Sequence, residues 1–451
     1  MSEIKLGIIG GGQLGSMLSD AAKKLNMKTI KNTMMKILPV VLVLFWTGCE
    51  DLDFPDPNNP TSDTATIQSL VTGAEAQLRS GFGVWIRDLL VVGREAYYLE
   101  PADPGYTGEL LHGPVDPGGF LCYTPWAANY KVMKNCQTIL SSVDADAGAK
   151  GFAQTLNAYC LMRVLAMTDE NGARLNYDGD INVAVASKAE VLAEIENLLN
   201  SGKDNLAQAG DAFSFSLSSG FDGFNTPATF THFNRGLMAR VSVLQDKWSQ
   251  AQAALTSVDA WMNGGDHDAG VYHVFSSGAN DGDNQMFEDP TAATLKLMVH
   301  PSFLTDAHDG DSRVSNNVLV REDTIRYDGL ESYLAPTLYN SSYDPVPMMR
   351  AVELQLLQAE VYIGNGDYAG AQNIMNAIRA AAGAAEYIGT DESNAVDRVL
   401  HEKRYSLFLE GHRLSDMRHY GKTGELPLDR IDGENPDTVV TFPIPETETP
   451  G

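Results

Sequence analysis

Three features of the sequence predict an all-α fold built from helical hairpins with long irregular loops between them. Residues 347–379 carry two apolar periodicities separated by a short glycine-containing break. The same pattern recurs at 237–251, and a further apolar stretch at 152–167 pairs with one at 126–140. Helix pairs of this kind bury a continuous core only by stacking on one another, which is the logic of tetratricopeptide-like helical repeats.

The pair at 347–379 is the clearest. Val352, Leu354, Leu357, Val361 and Tyr362 fall near 3.6-residue spacing, so the first helix is expected to be amphipathic, with small Ala359 where a neighbour approaches. Gly364-Asn365-Gly366-Asp367 ends it, and a second helix follows through Tyr368, Ala371, Ile374, Met375 and Ile378. So short a break makes the two antiparallel. In the earlier copy, setting Ala239 against Ala359 places Trp248 opposite Tyr368 and Ala251 opposite Ala371. Residues 402–418 read as one amphipathic closing helix. Glu402, Arg404, Glu410, Arg413, Asp416 and Arg418 flank an apolar stripe of Leu400, Leu407, Phe408 and Leu414, and their ion pairs are expected to fix the last repeat. His412 has no second histidine or carboxylate at ligand spacing, so the segment reads as structural and no catalytic residue is assigned.

Several blocks carry a family resemblance. Residues 348–360, Gly366-Asp367, Asn376-Ala377-Ile378-Arg379, Glu402-Lys403-Arg404, Glu410-Gly411-His412-Arg413, Asp416-Met417-Arg418 and Phe442-Pro443-Ile444-Pro445-Glu446 resemble, in order and spacing, the SusD/RagB nutrient-uptake lipoproteins. The resemblance runs from about residue 34 to residue 451. It implies a SusD-like fold, an outer-membrane lipoprotein exposed at the cell surface, and capture of oligosaccharide, or in some members peptide, for a SusC-like TonB-dependent transporter. It implies neither an enzyme nor a cofactor. The chain ends soon after the last block, so a longer C-terminal segment that the family often carries is expected to be missing or short. Asp311-Ser312-Arg313 also resembles a short Asp-x-Arg element of the family, which implies a structural role there.

The N-terminal region predicts the compartment. Lys28, Lys31 and Lys36 precede the apolar run 37–46, which ends in Thr47-Gly48-Cys49 and then Glu50-Asp51-Leu52-Asp53. A run of about ten apolar residues is too short to span a bilayer and suits a signal-peptide core. Residues 27–48 are therefore expected to be a lipoprotein signal peptide and Cys49 the lipidated residue, although Trp46 stands where the usual motif has leucine. Ahead of it, Ile4 to Ile9 followed by Gly10-Gly11-Gly12-Gln13-Leu14-Gly15 has the opening of a nucleotide-binding βα unit. Residues 1–30 resemble the start of the ATP-grasp enzyme carboxyaminoimidazole ribonucleotide synthase. The resemblance ends near Ile30, and no second strand with an acidic ribose partner is expected after it. Residues 1–26 are thus expected to be a spurious or fused extension, translation beginning naturally at Met27, Met34 or Met35, and residues 49–451 to form the SusD-like helical-repeat binding domain.

Composition narrows the partners. A 43% apolar content supplies a large core, and a formal charge of −27 excludes nucleic acid and anionic membrane surfaces while fitting neutral or cationic ligands. Cys122, Cys136 and Cys160 are expected to be buried, unpaired thiols. The acidic loops at 178–182, 281–284 and around Asp306, Asp309 and Asp311 lack EF-hand spacing, since Val183 and Ala189 stand at ligand positions, so no metal is assigned.

Neutral sugars are held by flat aromatic faces and by polar side chains that bind hydroxyls. The richest supply is 85–126, expected to be largely loop, with Trp85, Tyr97, Tyr98, Tyr106, Phe120, Tyr123 and Trp126 beside Arg94, Glu95, Asp103 and Asp116. Trp126 and Tyr130 stand at helical spacing and read as core. The favoured ligand residues are Tyr98, Tyr106 and Phe120, with Tyr123, Arg94 and Asp103 beside them. A second candidate surface is 333–343, with Tyr339. A tetratricopeptide-like scaffold that organises an envelope complex and binds no small ligand is the alternative of a different class.

Overall fold

The structure, a computed structural model, describes residues 6–7, 29–30, 65–177, 179–278, 281–431 and 436–449. The chain divides into two compact units, Met1–Thr64 and Ala65–Gly451. In the first, strands β1 (Leu6–Gly7) and β2 (Thr29–Ile30) pair in parallel, Leu6 with Thr29 and Gly7 with Ile30. A two-residue second strand therefore follows the glycine-rich opening, and it brings no acidic residue with it, Thr29 and Ile30 being followed by Lys31 and Asn32. The glycine-rich segment 10–15, the apolar run 37–46 and Cys49 lie outside the described residues.

The second unit is mostly helical, as predicted, and its helices form one stack. The longer ones are α1 (Ile67–Arg79), α2 (Phe82–Val92), α3 (Phe120–Ser141), α4 (Ala147–Thr168), α5 (Lys188–Gln208), α6 (Pro227–Val243), α7 (Trp248–Thr256), α8 (Ala351–Gly364), α9 (Tyr368–Ala381), α10 (Ala395–Ser406) and α11 (Arg413–His419). Helix α3 packs on α1 and α4, α5 on α4 and α6, α7 on α6 and α8, and α9 on α8. Helix starts follow capping chemistry. Asp146, Asp367 and Thr226 accept backbone N–H groups of Ala149, Gly370 and Thr229, and Ser187 with Glu190 forms a reciprocal capping box. Where α4 crosses α5, glycines face each other: a Cβ on Gly151 would lie 2.9 Å from the Gly202 carbonyl oxygen. Only glycine permits so close an approach of the two backbones.

The repeat read from the sequence is present in three dimensions. Asp246 and Gly366 occupy matching turn positions with positive φ, 55° and 78°, while Ala251 and Ala371 are both fully buried. A Cβ on Gly364 would lie 2.2 Å from the indole of Trp248, so one repeat seats its aromatic ring on the bare end of the next. One boundary and the character of one helix differ from expectation. Val346–Arg350 is a strand, paired antiparallel with Gly270–His273, so α8 begins at Ala351 rather than at Pro347. Nor is α8 amphipathic: Glu353, Gln358 and Glu360 are buried along with its apolar residues, because strands and helices pack around it on every side.

The expected closing helix is two helices, α10 and α11. The chain turns between them at Leu409 and Gly411, with φ of 61° and 78°, a conformation that no continuing helix adopts. Its charges reach well beyond the last repeat. Glu402 accepts from Arg379 of α9 at 2.6 Å, from Arg313 at 2.8 Å and from the Tyr387 hydroxyl at 2.9 Å. Lys403 donates to Glu360 of α8 at 3.0 Å and pairs with Asp416 of α11, while Arg404 reaches Asp306 at 2.8 Å and Ser302 at 2.6 Å. Arg313 also holds Asp311, so the Asp-x-Arg element is built into this network.

Strands are short. Ala96–Tyr98 pairs with Leu297–Val299, and Val318–Tyr327 forms a hairpin with Leu330–Pro336 across Asp328-Gly329. Both turn residues have positive φ, as a tight hairpin turn requires. Cys122, Cys136 and Cys160 are buried and unpaired, as expected, and burial pushes the Cys160 thiol up to about 12.

Two outcomes follow from the charges. Glu402→Gln leaves the buried Arg379 guanidinium without a carboxylate, while Arg313 keeps Asp311, and is expected to cost about 3 kcal/mol in chemical denaturation. His401 stacks on His308 with centroids 4.1 Å apart, and burial, together with His308, Arg313, Arg379 and Arg404, pulls its pKa down from 6.5 to about 3. The unfolded chain takes up a proton below pH 6.5 that the folded chain refuses until about pH 3. This contribution to stability is whole above pH 6.5 and is lost as pH falls through that window, at up to about 1.4 kcal/mol per pH unit. His401→Asn is expected to flatten the fall, measured as denaturation midpoints between pH 6.5 and 4.5.

Candidate functional site

The region 85–126 is far less of a loop than expected. Helix α2 runs to Val92, Ala96–Tyr98 is a strand, Pro104–Tyr106 and Glu109–His112 are short helices, and α3 already begins at Phe120 with Pro125 inside it. What positions α3 is a compact turn. Asp116 accepts from the Gly118 N–H at 2.9 Å, its own N–H donates to Glu109 at 2.9 Å, and Gly119 serves as N-cap. Leu121 and Cys122 then face the core, which leaves Phe120 and Tyr123 turned outward, each 44% exposed.

Behind Phe120 lies a buried aromatic ladder. Tyr106 packs edge-on against Phe120 with centroids 5.9 Å apart, and Tyr98 packs on Tyr106 at 4.5 Å. The Arg87 guanidinium sits 4.6 Å from the Tyr98 centroid and 5.8 Å from that of Tyr106, and it donates to the Tyr98 hydroxyl at 3.3 Å. Burial raises the phenol pKa of both tyrosines, and beside them burial lifts the Asp88 carboxyl well above the usual carboxylate range. The outer rings are thus backed by groups that stay uncharged or are locked in place. Exposed Asp103 opens the turn that carries Tyr106.

The structure therefore brings Tyr98, Tyr106, Phe120 and Tyr123 to one place, with only the last two open to a ligand. Arg94 is corrected. It is fully buried, stands at positive φ at the end of α2, and donates to the carbonyls of Val91, Val92, Pro427 and Thr438. It caps a helix and ties two distant segments of chain to it, four of its five N–H groups are spent on these carbonyls, and its burial closes it to a ligand. Tyr339 stands apart from this ladder and is 7% exposed; it lines a different cleft. Trp126 stacks on Tyr130 in the core, as expected, and Trp85 donates to the Arg163 carbonyl. Sequence reading overlooked Arg87, which with Asp88 interrupts an otherwise apolar helix; a single cation in such a run is the signal that would have found it.

His412 lies beside a small cavity of about 80 Å³ with Glu353, Arg240 and Lys403, and burial pulls its pKa down to about 3. It is a neutral ring among paired charges. Among the described residues, no group of three or more His, Cys, Asp or Glu side chains is arranged to hold a metal ion.

A helical-hairpin stack closed by a buried charge cluster and carrying an exposed aromatic step is the class of protein the geometry defines. Residues 331–446 match the SusD family, which bears out the resemblance read from the sequence. No curated protein matches the chain. Among solved structures, a SusD superfamily protein from Bacteroides vulgatus is similar over 86% of this chain and 96% of its own, with a TM-score of 0.63 and 14% identity. A SusD-like carbohydrate binding protein from the same organism is similar over 78% and 83%, with a TM-score of 0.59 and 16% identity. A laminarin binding SusD-like protein is similar over 80% and 92%, with a TM-score of 0.56 and 16% identity. The fold is SusD-like.

The ladder separates support from contact. Tyr106→Ala is expected to lose about 3 kcal/mol of stability by opening a cavity behind the step. Phe120→Ala is expected to change stability by no more than about 0.5 kcal/mol. Thermal or chemical denaturation of the two variants checks this.

Proposed function

We propose that this protein is a cell-surface lipoprotein that captures oligosaccharide at the Phe120–Tyr123 step and passes it to a SusC-like TonB-dependent transporter of the outer membrane. The exposed, buttressed aromatic pair carries the reading. Two adjacent flat faces cover the C–H sides of successive sugar rings, while Asp103 and Asp116 stand near enough in the chain to meet hydroxyls. The strong negative charge fits a neutral ligand rather than an acidic polymer. The SusD-like fold supports the same direction. No helix among the described residues is long and apolar enough to cross a membrane, and attachment is assigned to a lipid on Cys49.

No bond is made or broken in this scheme. The aromatic step holds the ligand by contact and hydrogen bonding, and the lipid tether keeps captured ligand at high local concentration beside the transporter mouth. Because Tyr98, Tyr106 and Arg87 fix the step in advance, little ordering cost is incurred on binding.

Affinity electrophoresis through gels containing neutral and charged polysaccharides tests this. Retardation by one or more neutral glycans is expected, reduced about tenfold in affinity by Phe120→Ala or Tyr123→Ala, as loss of a stacking face implies. Unretarded migration through every gel removes the glycan reading and favours peptide cargo or a scaffold.

A further inference from the structure

Two histidines are stacked at the rim of the buried charge cluster. His308 is exposed on the turn 306–310, and its ring centroid lies 4.1 Å from that of half-buried His401 on α10, the two planes 25° apart. Tyr387 meets His308 edge-on at 5.9 Å, and Tyr405 backs His401 at 4.7 Å. Rings this close stay together only while at least one is neutral, because two imidazolium charges at that distance repel.

The turn that carries His308 joins the four-residue helix Ser302–Thr305 to the short helix Ser312–Asn317. Asp306 at its base pairs with Arg404 at 2.8 Å, and Ala307 is half-buried against the core. Gly310 at its far end has a φ of 81° and rests against Gly383, a conformation that lets the backbone pivot without a side chain in the way. Between these points, the stack on His401 draws the tip of the turn onto α10.

The surrounding charges oppose a proton on either ring. Arg379 approaches from α9, Arg313 from the helix after the turn, and Arg404 and Glu402 from α10, while the turn itself brings Asp306, Asp309 and Asp311. Most of these carboxylates are already engaged, Glu402 by Arg379 and Arg313, Asp311 by Arg313, and Asp306 by Arg404. Burial and then Arg379 hold the His308 pKa below its ordinary value, against a smaller pull from Glu402 and Asp311. Burial and then His308 itself are the largest causes of the fall at His401. A ring swung into water escapes these penalties and takes up its proton at about pH 6.5.

We propose that the His308–His401 stack is an acid-released latch: when His308 takes up a proton its ring leaves His401, and the turn 306–310 swings away from α10 about Gly310. The turn runs directly into Ser312 and Arg313, which line the cleft beside Tyr339. Acid medium therefore loosens one wall of that cleft, and neutral medium fixes it. The open turn binds more protons than the closed one, so opening is favoured as pH falls below about 6.5, by up to about tenfold per pH unit for each added proton. The latch and the capture reading above do not depend on each other.

Hydrogen–deuterium exchange of the full chain, read by mass spectrometry at pH 7 and at pH 5 and corrected for the intrinsic exchange rate at each, tests the latch. The Asp311 N–H, bonded to the His308 carbonyl at 3.2 Å inside the turn, reports opening. In the wild type, the peptide that contains it is expected to lose protection about tenfold at pH 5, while peptides from α4 keep theirs. His308→Phe keeps an aromatic ring on His401 but takes up no proton, so its protection is expected to be equal at both pH values. His308→Ala lacks the stack and is expected to be unprotected at both. Protection in the wild type that does not change with pH, that falls as much in His308→Phe, or that falls together with α4 overturns the proposal, and so does full protection of His308→Ala at pH 7.

Discussion

Three consecutive side chains on one helical turn hold the C-terminal half of this protein together. Successive residues of a helix point about 100° apart, so Glu402, Lys403 and Arg404 leave α10 in three directions. Glu402 draws in α9 and the segment after Asp311, Lys403 ties α8 to α11, and Arg404 fixes the turn at Ser302 and Asp306. All three are nearly or fully buried, so the pairs that Glu402 makes with Arg379 and Lys403 makes with Glu360 and Asp416 have been taken out of water at a cost that only good geometry and additional hydrogen bonds offset, while Asp306, the partner of Arg404, stays half-exposed. The polar contacts around Glu402 meet that condition. Arg240 with Glu353 repeats the device one layer away, with two bonds of 2.6 and 2.7 Å.

This network is also what gives the cleft lined by Tyr339 its fixed frame. Arg313 and Ser406 sit at the edge of the cleft because Glu402 and its neighbours hold the Asp311 segment against α10. Arg350 is similarly positioned between Asp268 and Glu410. The step is framed differently. Its rings are backed by a cation and by aromatic contacts, and the turn before α3 is set by hydrogen bonds to a single aspartate. The cleft is walled by ion-paired side chains, the step by stacked rings.

Much of the helical architecture was legible because the repeat writes itself in short-range chemistry. A glycine or aspartate at the turn, small alanines at the crossing and an aromatic at the next helix start are all local choices. The misreadings have a common physical source. Residues 346–350 look helical in sequence, but their partners at 270–273 lie far away in the chain, and only that pairing makes them a strand. The closing segment keeps helical apolar spacing across Leu409 and Gly411, and the backbone reversal there carries no periodic signature. Aromatics in 85–126 could be counted but not sorted, since whether Tyr106 is buried and Phe120 exposed depends on which face of a later helix meets the core. Arg94 shows the same limit: a cation among aromatics looks like a ligand group until its carbonyl acceptors, including Pro427 and Thr438, are folded onto it.

The last stretch of the chain clasps its first helices. Asn171 donates to the Phe442 carbonyl, the Cys122 thiol to that of Pro443 and Arg94 to that of Thr438, contacts spanning 271 to 344 residues of sequence. Phe442 itself is 1% exposed. A chain emerging amino end first cannot complete the packing around α2, α3 and α4 until residues 438–443 have been made and released, and a nascent copy remains pliable until then.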